Sequence, residues 1–458
     1  MTIESVDVVV VGLGPGGEAC ATQLATAGLS VVGVDARLVG GECPYYACVP
    51  TKMMIRAADA LAEALRAGEL AGTALVQGDW GPVAARIRRD ATDDWDDRVA
   101  VERLERAGVR FVRGRGRLTA PGQVTVSTSD GERTFAAAKG IVLNPGTDPA
   151  VPPIPGLAGT PYWTNREAVR ATEVPRSMIV LGGGPVGCEF SQVFARFGAE
   201  VTLLQARDRL LPLAEPEASR LVEQRFAAEN ITVRTGVSVT GAGHDGAFTL
   251  QIDGADPVTA DGLLVATGRR TDLAALGVGA VGLPEDAKGI EVDERLRAAP
   301  GLWAIGDITG KGAFTHMSMY QAEIAAADIL GQEHLPADYR AVPNVTFTDP
   351  EVGSVGLTEA AARERGRTVR IGTTAIPSSS RGHIHGPGNE GLIKLVEDAD
   401  RGVLVGATAV GPSGGEVLGA LAVAVHAEVP TAVLGQMIYA YPTFHRAILS
   451  AVADLAAG

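Results

Sequence analysis

Along the chain, apolar residues gather in short continuous runs separated by glycine-rich turns and by longer stretches of helical period. The four valines at 8–11 read as a buried parallel strand, because only a strand covered on both faces is apolar at every position. That run feeds Gly12-Leu13-Gly14-Pro15-Gly16-Gly17, then a helix over about 18–27 and a second strand over 30–34 that ends at Asp35. The same order recurs later: a strand over 178–181, the loop Gly182-Gly183-Gly184-Pro185-Val186-Gly187, a helix to 197, and a strand over 200–204 ending in Gln205. Between the two copies, 53–66 and 80–107 carry alternating apolar and charged faces that predict two long helices. Residues 109–135 read as a small antiparallel sheet, with turns at Ala120-Pro121-Gly122 and Ser129-Asp130-Gly131. Further on, 301–307 is a strand delivering Asp307 into a turn, and a helix over 318–330 meets a capping glycine, Gly331.

The glycine loops say what the strands and helices are for. Gly12 allows the tight turn, Gly14 lets the backbone approach a pyrophosphate, and Gly17 lets the helix pack close to the strand. The helix N-terminus then offers N–H groups and partial positive charge to phosphate, while Asp35 can accept from a ribose hydroxyl. Gly182, Gly184 and Gly187 repeat the pattern, and a repeat of this kind implies two nucleotides on one chain. Gln205 stands where an NAD enzyme usually carries an acid, and Arg207 and Arg209 follow it. Without a charge to repel a 2′-phosphate, the second site is expected to take NADP rather than NAD.

At 458 residues the chain is long enough for about three domains. A hydrophobic content of 46% with 58 glycines fits a turn-rich α/β protein. The net charge of −14 excludes a nucleic-acid binder, which needs clustered Lys and Arg. The absence of a long apolar run or a signal-peptide pattern predicts a cytoplasmic protein without a membrane span. Four cysteines in so long a chain do not make a secreted disulfide framework. His383 and His385 lack further ligands, so no metal site is expected.

Two of the cysteines carry the candidate chemistry. Cys43 and Cys48, in Gly40-Gly41-Glu42-Cys43-Pro44-Tyr45-Tyr46-Ala47-Cys48-Val49-Pro50-Thr51-Lys52, sit about one helical turn apart, close enough to cross-link and reopen. A redox pair after a nucleotide-binding loop is the expected reading; packed thiols or half a metal site are the alternatives that spacing alone leaves open. Cys20 and Cys188 read as packing residues.

This string resembles the active-site string of the class I flavoprotein disulfide reductases, the family of dihydrolipoamide dehydrogenase, glutathione reductase and mercuric reductase. The resemblance covers essentially the whole chain, with the other motifs in the family's order. It implies an α/β fold with two Rossmann-like dinucleotide-binding domains plus a C-terminal α+β interface domain. FAD would be bound by 1–150 and 269–340, NAD(P) by 151–268, and 341–458 would form a homodimer whose active site is shared between chains. FAD contacts are then implied at the first loop, Asp35 and Asp307, and cofactor contacts at Gly41, Lys52, Gly146, Gly268 and Gly306. Gly146 lies in Asn144-Pro145-Gly146, where the family usually has Ala-Thr-Gly. By the same resemblance Cys48 is the flavin-proximal thiolate, Cys43 the interchange thiol, and Lys52 pairs with Glu189 beside the flavin.

The C-terminus departs from the family. Its usual His-Pro-Thr-x-x-Glu is here Tyr441-Pro442-Thr443-Phe444-His445-Arg446. An ordinary phenol titrates near pH ~10, so Tyr441 can donate or orient a hydrogen bond but is a poor base. Arg446 places a fixed positive charge, and His445 is the neighbouring candidate base. The redox string is also similar to that of 2-ketopropyl-coenzyme M oxidoreductase/carboxylase, which lacks the same pair, although Thr51-Lys52 is the ordinary reductase version. Tyr45 and Tyr46 suggest a pocket for a bulky or planar substrate. The expected activity is NADPH-driven reduction of a small-molecule disulfide or thioether. Direct flavin reduction of a quinone or metal ion, or a carboxylase-like reaction, are the alternatives.

Overall fold

Why four valines can stand in a row is answered by the strand Ile3–Val11, which runs through the middle of a sheet. Val9 and Val11 face one apolar cluster while Val8 and Val10 face another, the two-residue period of a strand used on both sides. The computed structural model describes residues 3–457, and its contacts divide them into two compact units.

The first unit comprises the chain up to Thr51, Arg86–Ala150 and Arg269–Asp338. Its main sheet runs Arg297–Ala299, Leu302–Ala304, Gly131–Leu143, Ile3–Val11, Val31–Asp35, Val109–Arg113. The strand after the first loop therefore pairs in parallel beside the first, as a dinucleotide fold requires. Arg115–Ala120, Gln123–Thr128 and Gly131–Leu143 form the expected antiparallel meander. Val109–Arg113 does not join it; it pairs in parallel with Val31–Asp35. Only Gly114 separates it from the next strand, too little for even a two-residue hairpin, so the two cannot pair with each other.

The long helix expected over 80–107 is broken. Trp80–Arg86 passes through a π-turn at Ile87–Ala91, then a left-handed turn at Asp93–Trp95, before Arg98–Arg106 resumes. Four aspartates within 93–97 explain the break, since their side chains repel one another and compete with helical hydrogen bonds. Asp93, Asp94 and Trp95 all have positive φ, 47°, 54° and 59°. A left-handed conformation costs about 1–2 kcal/mol per non-glycine residue.

The second unit comprises Lys52–Ala85, Val151–Gly268 and the chain from Tyr339 on. It holds a parallel sheet, Thr232–Arg234, Glu200–Leu204, Ser177–Leu181, Gly262–Val265, and a three-stranded antiparallel sheet over 239–260. It also holds a five-stranded antiparallel sheet, Pro343–Thr346, Glu351–Gly356, Val403–Gly411, Leu392–Asp398, Val369–Ala375. Helices Gly414–His426 and Ala447–Ala457 cover that sheet; Ile448, Ala451, Val452 and Leu455 show the three-four spacing of a buried helical stripe. Among the described residues no helix is long and apolar enough to cross a membrane.

Candidate active site

Gly12 has φ +92°, and a Cβ there would lie 2.1 Å from the Asn144 carbonyl oxygen. A Cβ on Gly17 would lie 2.0 Å from the Gly12 carbonyl, so helix Pro15–Thr26 can press against the strand end only without side chains. Asn144 completes this corner: its Nδ2 donates to Gly12 O at 3.2 Å and its Oδ1 accepts from Ser318 Oγ at 3.3 Å. Asn144, which stands where the family usually has Ala, is thus the clamp on the first glycine. Asp35 Oδ2 accepts from Leu13 N–H and its Oδ1 from Arg37 N–H, both at 2.7 Å. Burial pushes its carboxyl above the usual range, with those two hydrogen bonds opposing the shift.

Asp307 stands just past strand Leu302–Ala304 and accepts from Thr147 Oγ1 at 2.6 Å, with Arg269 Nε 3.6 Å away. Gly306 donates its N–H to Gln321 Oε1 at 2.6 Å, and Gly146 has φ +68° with open space where a Cβ would be. The bare helix N-terminus, the acid at the second strand and Asp307 fit FAD: donors for phosphate, acceptors for sugar hydroxyls, and no side chains in the cradle.

The redox stretch begins with Gly40 and Gly41, both at positive φ. At Gly41 the φ/ψ pair is 70°/−149°, and a Cβ would lie 2.8 Å from Gly14 Cα, so this loop rests on the nucleotide loop. Gly41→Ala is therefore expected to weaken FAD binding about tenfold through backbone strain, read as a lower flavin-to-protein ratio after dialysis. An unchanged ratio contradicts the close approach.

Cys43 and Cys48 are not on one helix, which corrects the simple one-turn spacing. Cys43 lies in Glu42–Tyr45, Tyr46 turns away at φ −139°, and Cys48 opens the long helix Cys48–Leu70. An unbroken α-helix would hold Cα atoms five residues apart at about 8–9 Å, beyond the ~7 Å reach of a disulfide. A regular helix through both residues would therefore keep the pair apart, and the break removes that constraint. Cys48 Sγ lies 3.4 Å from Thr315 Oγ1, the first residue of helix Thr315–Leu330. Two helix N-termini thus converge on one sulfur. Tyr45, expected to face substrate, is instead buried, and burial with Asp97 nearby pushes its phenol up to about 12. Cys20 and Cys188 are fully buried as expected; burial pushes Cys20 up to about 12 and Cys188 higher still, so neither is a nucleophile near neutrality.

In the second unit, Lys52, one helical turn after Cys48, has its Nζ 2.8 Å from Glu189 Oε2. Glu189 is 7% exposed, and its other oxygen accepts from Phe347 N–H at 2.8 Å. Lys52 Nζ also lies 4.8 Å from the Phe347 ring centroid, a contact no sequence pattern announced.

The second glycine loop repeats the first. Cβ atoms at Gly182 and Gly187 would lie 2.3 Å from Ala266 O and 1.8 Å from Gly182 O, while Gly184 faces open space. Gly268, φ +112°, ends this stretch. Gln205 is buried, with Nε2 donating to Arg209 O at 3.4 Å. Arg207 is exposed, whereas Arg209 folds back and donates to Pro212 O at 3.0 Å. Of the two expected cations, Arg207 is the one that projects.

At the C-terminal strap, Tyr441 is 67% exposed, and the Arg446 guanidinium lies 5.4 Å from its ring while donating to Tyr439 O at 3.2 Å. Arg446 therefore stands beside Tyr441 as a partner, through a cation–π contact. His445 Nε2 is 3.4 Å from Thr443 Oγ1.

A flavin-linked oxidoreductase working through a dithiol is the class this fold defines. Residues 6–325 match the family model for pyridine nucleotide-disulphide oxidoreductases, and 342–452 match that family's dimerisation domain. The chain belongs to this family, and is an FAD-dependent oxidoreductase of the disulfide reductase kind. It is 33% identical to a dihydrolipoyl dehydrogenase of Chlorobaculum tepidum over 98% of this chain and 96% of the relative. Identity is also 33% with one from Thermus scotoductus, covering 99% and 98%. Among solved structures it is similar to LpdA from Mycobacterium tuberculosis, with TM-score 0.87, 24% identity, and 99% and 100% of the two chains covered. The HOCl-induced flavoprotein disulfide reductase RclA from Escherichia coli gives TM-score 0.85 at 24% identity over 99% of each chain. The dimerisation-domain match supports a homodimer.

Proposed function

We propose that the protein is a cytoplasmic NADPH-dependent reductase of a small disulfide or thioether, with Cys43 and Cys48 as its exchanging pair. The observation carrying this reading is the placement of Cys48 Sγ beside Thr315 at the start of one helix while Cys48 itself starts another. Each helix N-terminus carries about half a positive charge, and two together favour a thiolate. Bound FAD would supply the link between a two-electron hydride donor and this dithiol. Cys43, on the short helix before the break, is by the family resemblance the thiol that attacks substrate and is released again. Lys52 and Glu189 fix one positive and one negative charge beside the redox helix. In a homodimer the partner subunit's Tyr441 and Arg446 would meet substrate as hydrogen-bond donor and cation. This suits a substrate that brings its own proton acceptor, or an anionic one.

The choice of NADPH rests on uncharged Gln205 and exposed Arg207. Arg207→Ala is expected to raise KM for NADPH about five- to tenfold, the range for losing one exposed charge-assisted contact, with kcat and NADH kinetics unchanged. Equal loss with both nucleotides points to a folding defect instead, and no loss with either removes Arg207 from the site.

The replaced acid–base pair favours a second reading, in which electrons leave the flavin directly for a quinone or metal ion. Steady-state assays of wild type and Cys43→Ser with glutathione disulfide, lipoamide and a benzoquinone separate the two. Disulfide turnover that vanishes in the variant supports the first; quinone turnover alone, unchanged by the variant, supports the second.

A further inference from the structure

We propose that Trp95 is a positioning residue that fixes the helix break between Cys43 and Cys48, and so sets the redox equilibrium of that pair. The inference rests on reading those cysteines as an exchanging pair. Trp95 Nε1 donates to the backbone carbonyl of Tyr45 at 3.1 Å, across 50 residues of sequence. Tyr45 is the last residue of the short helix that holds Cys43. In an unbroken helix its carbonyl would accept from the N–H of Val49, four residues on.

The neighbouring carbonyls are satisfied locally. Glu42 O accepts from Tyr46 N–H at 2.8 Å, and Ala47 O accepts from Thr51 N–H at 3.0 Å and Thr51 Oγ1 at 2.8 Å. Tyr45 O is one of the acceptors whose helical donor is lost at the break, and a part-buried carbonyl without a donor is costly. The indole fills that place.

The turn delivering the indole is itself built for position. Asp93, Asp94 and Trp95 are three consecutive left-handed residues, closed by Asp96 N–H donating to Asp93 O at 3.1 Å. Such strain persists where surrounding contacts over-determine it. Those contacts are present: Asp97, which is buried, accepts from Val39 N–H at 2.6 Å and from Arg113 Nη2 at 2.8 and 2.6 Å. The segment 93–97 therefore grips the redox stretch at two points, Val39 before it and Tyr45 within it. The grip reaches the sulfurs only through the backbone of Tyr45.

Closing the pair removes two electrons and two protons from two thiols and forms one S–S bond, which needs the Cα atoms within about 7 Å. Without the indole N–H, Tyr45 O loses the donor that fixes this end of the break. Pro50 bars a regular helix through Tyr46, so the freed break loosens instead of closing, which lowers the share of close Cys43–Cys48 approaches and favours the dithiol.

The test uses the full-length, FAD-loaded protein with Trp95→Phe, and with benzothienylalanine at position 95, which keeps the ring shape but lacks the N–H. Each is equilibrated anaerobically in glutathione buffers, where the disulfide plus two glutathiones gives the dithiol plus glutathione disulfide. Alkylation mass shifts then count the two states. The equilibrium is expected to move about three- to tenfold toward dithiol in both variants, the range for losing one hydrogen bond, at unchanged FAD content. A constant within twofold of wild type, or a shift toward disulfide, in whichever variant folds overturns the role of Trp95. If wild type forms no Cys43–Cys48 disulfide at the oxidising limit, the exchanging-pair reading fails and this inference goes with it.

Discussion

Replacing either redox cysteine by serine is expected to lower kcat/KM for NADPH-driven disulfide reduction by on the order of a thousandfold or more. Exchange requires a thiolate attacker, and an alcohol at the same place is almost never ionised near neutrality. The two variants should differ in what they keep. Cys43→Ser retains the sulfur 3.4 Å from Thr315 Oγ1, at the two helix starts. Cys48→Ser removes it, leaving Cys43 without a resolving partner. Both should retain flavin and reduce a quinone within about threefold of wild type, because neither sulfur is needed to hold the cradle formed by Gly12, Gly14, Asp35 and Asp307. Disulfide reduction that survives at a tenth of the wild-type rate in either variant contradicts the exchange mechanism.

Lys52→Met is expected to have the next largest effect. Glu189 is 7% exposed, and the Lys52 side chain, 35% exposed, supplies its neutralising charge. Removing one partner of a buried pair costs about 3–5 kcal/mol, and the partial exposure of Lys52 brings the expected loss to roughly 1–3 kcal/mol. The charge left on Glu189 keeps the Phe347 N–H as a donor, and the lost cation is the one carried a helical turn after Cys48. Turnover should therefore fall about a hundredfold, with stability lowered as well. Glu189→Gln, which keeps one oxygen to accept from Phe347 N–H and leaves no buried charge for Lys52 to neutralise, should lose less of each. The double variant Lys52→Met/Glu189→Gln should then recover part of the stability lost by Lys52→Met alone, the signature of a coupled pair. Simple additivity of the two losses contradicts the coupling.

What could be read from the sequence was what local chemistry encodes. The valine run, the two glycine loops and the strand ends at Asp35 and Gln205 each declare themselves within about 30 residues, and each stands where that pattern put it. The close approach of Lys52 to Glu189 was legible too, but only through the family resemblance, since 137 residues separate them. Contacts that no period or motif encodes were missed. Asn144 reaching Gly12, Thr315 meeting Cys48 and Trp95 meeting Tyr45 all join distant segments. The helix over 80–107 was over-read because its apolar period continues past four aspartates that cannot sustain a helix. Val109–Arg113 was given the wrong partner because strand character is local whereas strand partner is not. Arg209 looked like a ligand until its own loop's carbonyls were seen to hold it.

The most direct test of the central claim is an anaerobic NADPH titration of the wild-type holoenzyme followed by absorbance. After one equivalent of NADPH, electrons resting on the Cys43–Cys48 pair should leave the flavin oxidised against the Cys48 thiolate, with a new long-wavelength band. Bleaching of the flavin at that point, with no such band, would contradict transfer to the dithiol and make direct reduction of an acceptor by the flavin the better account.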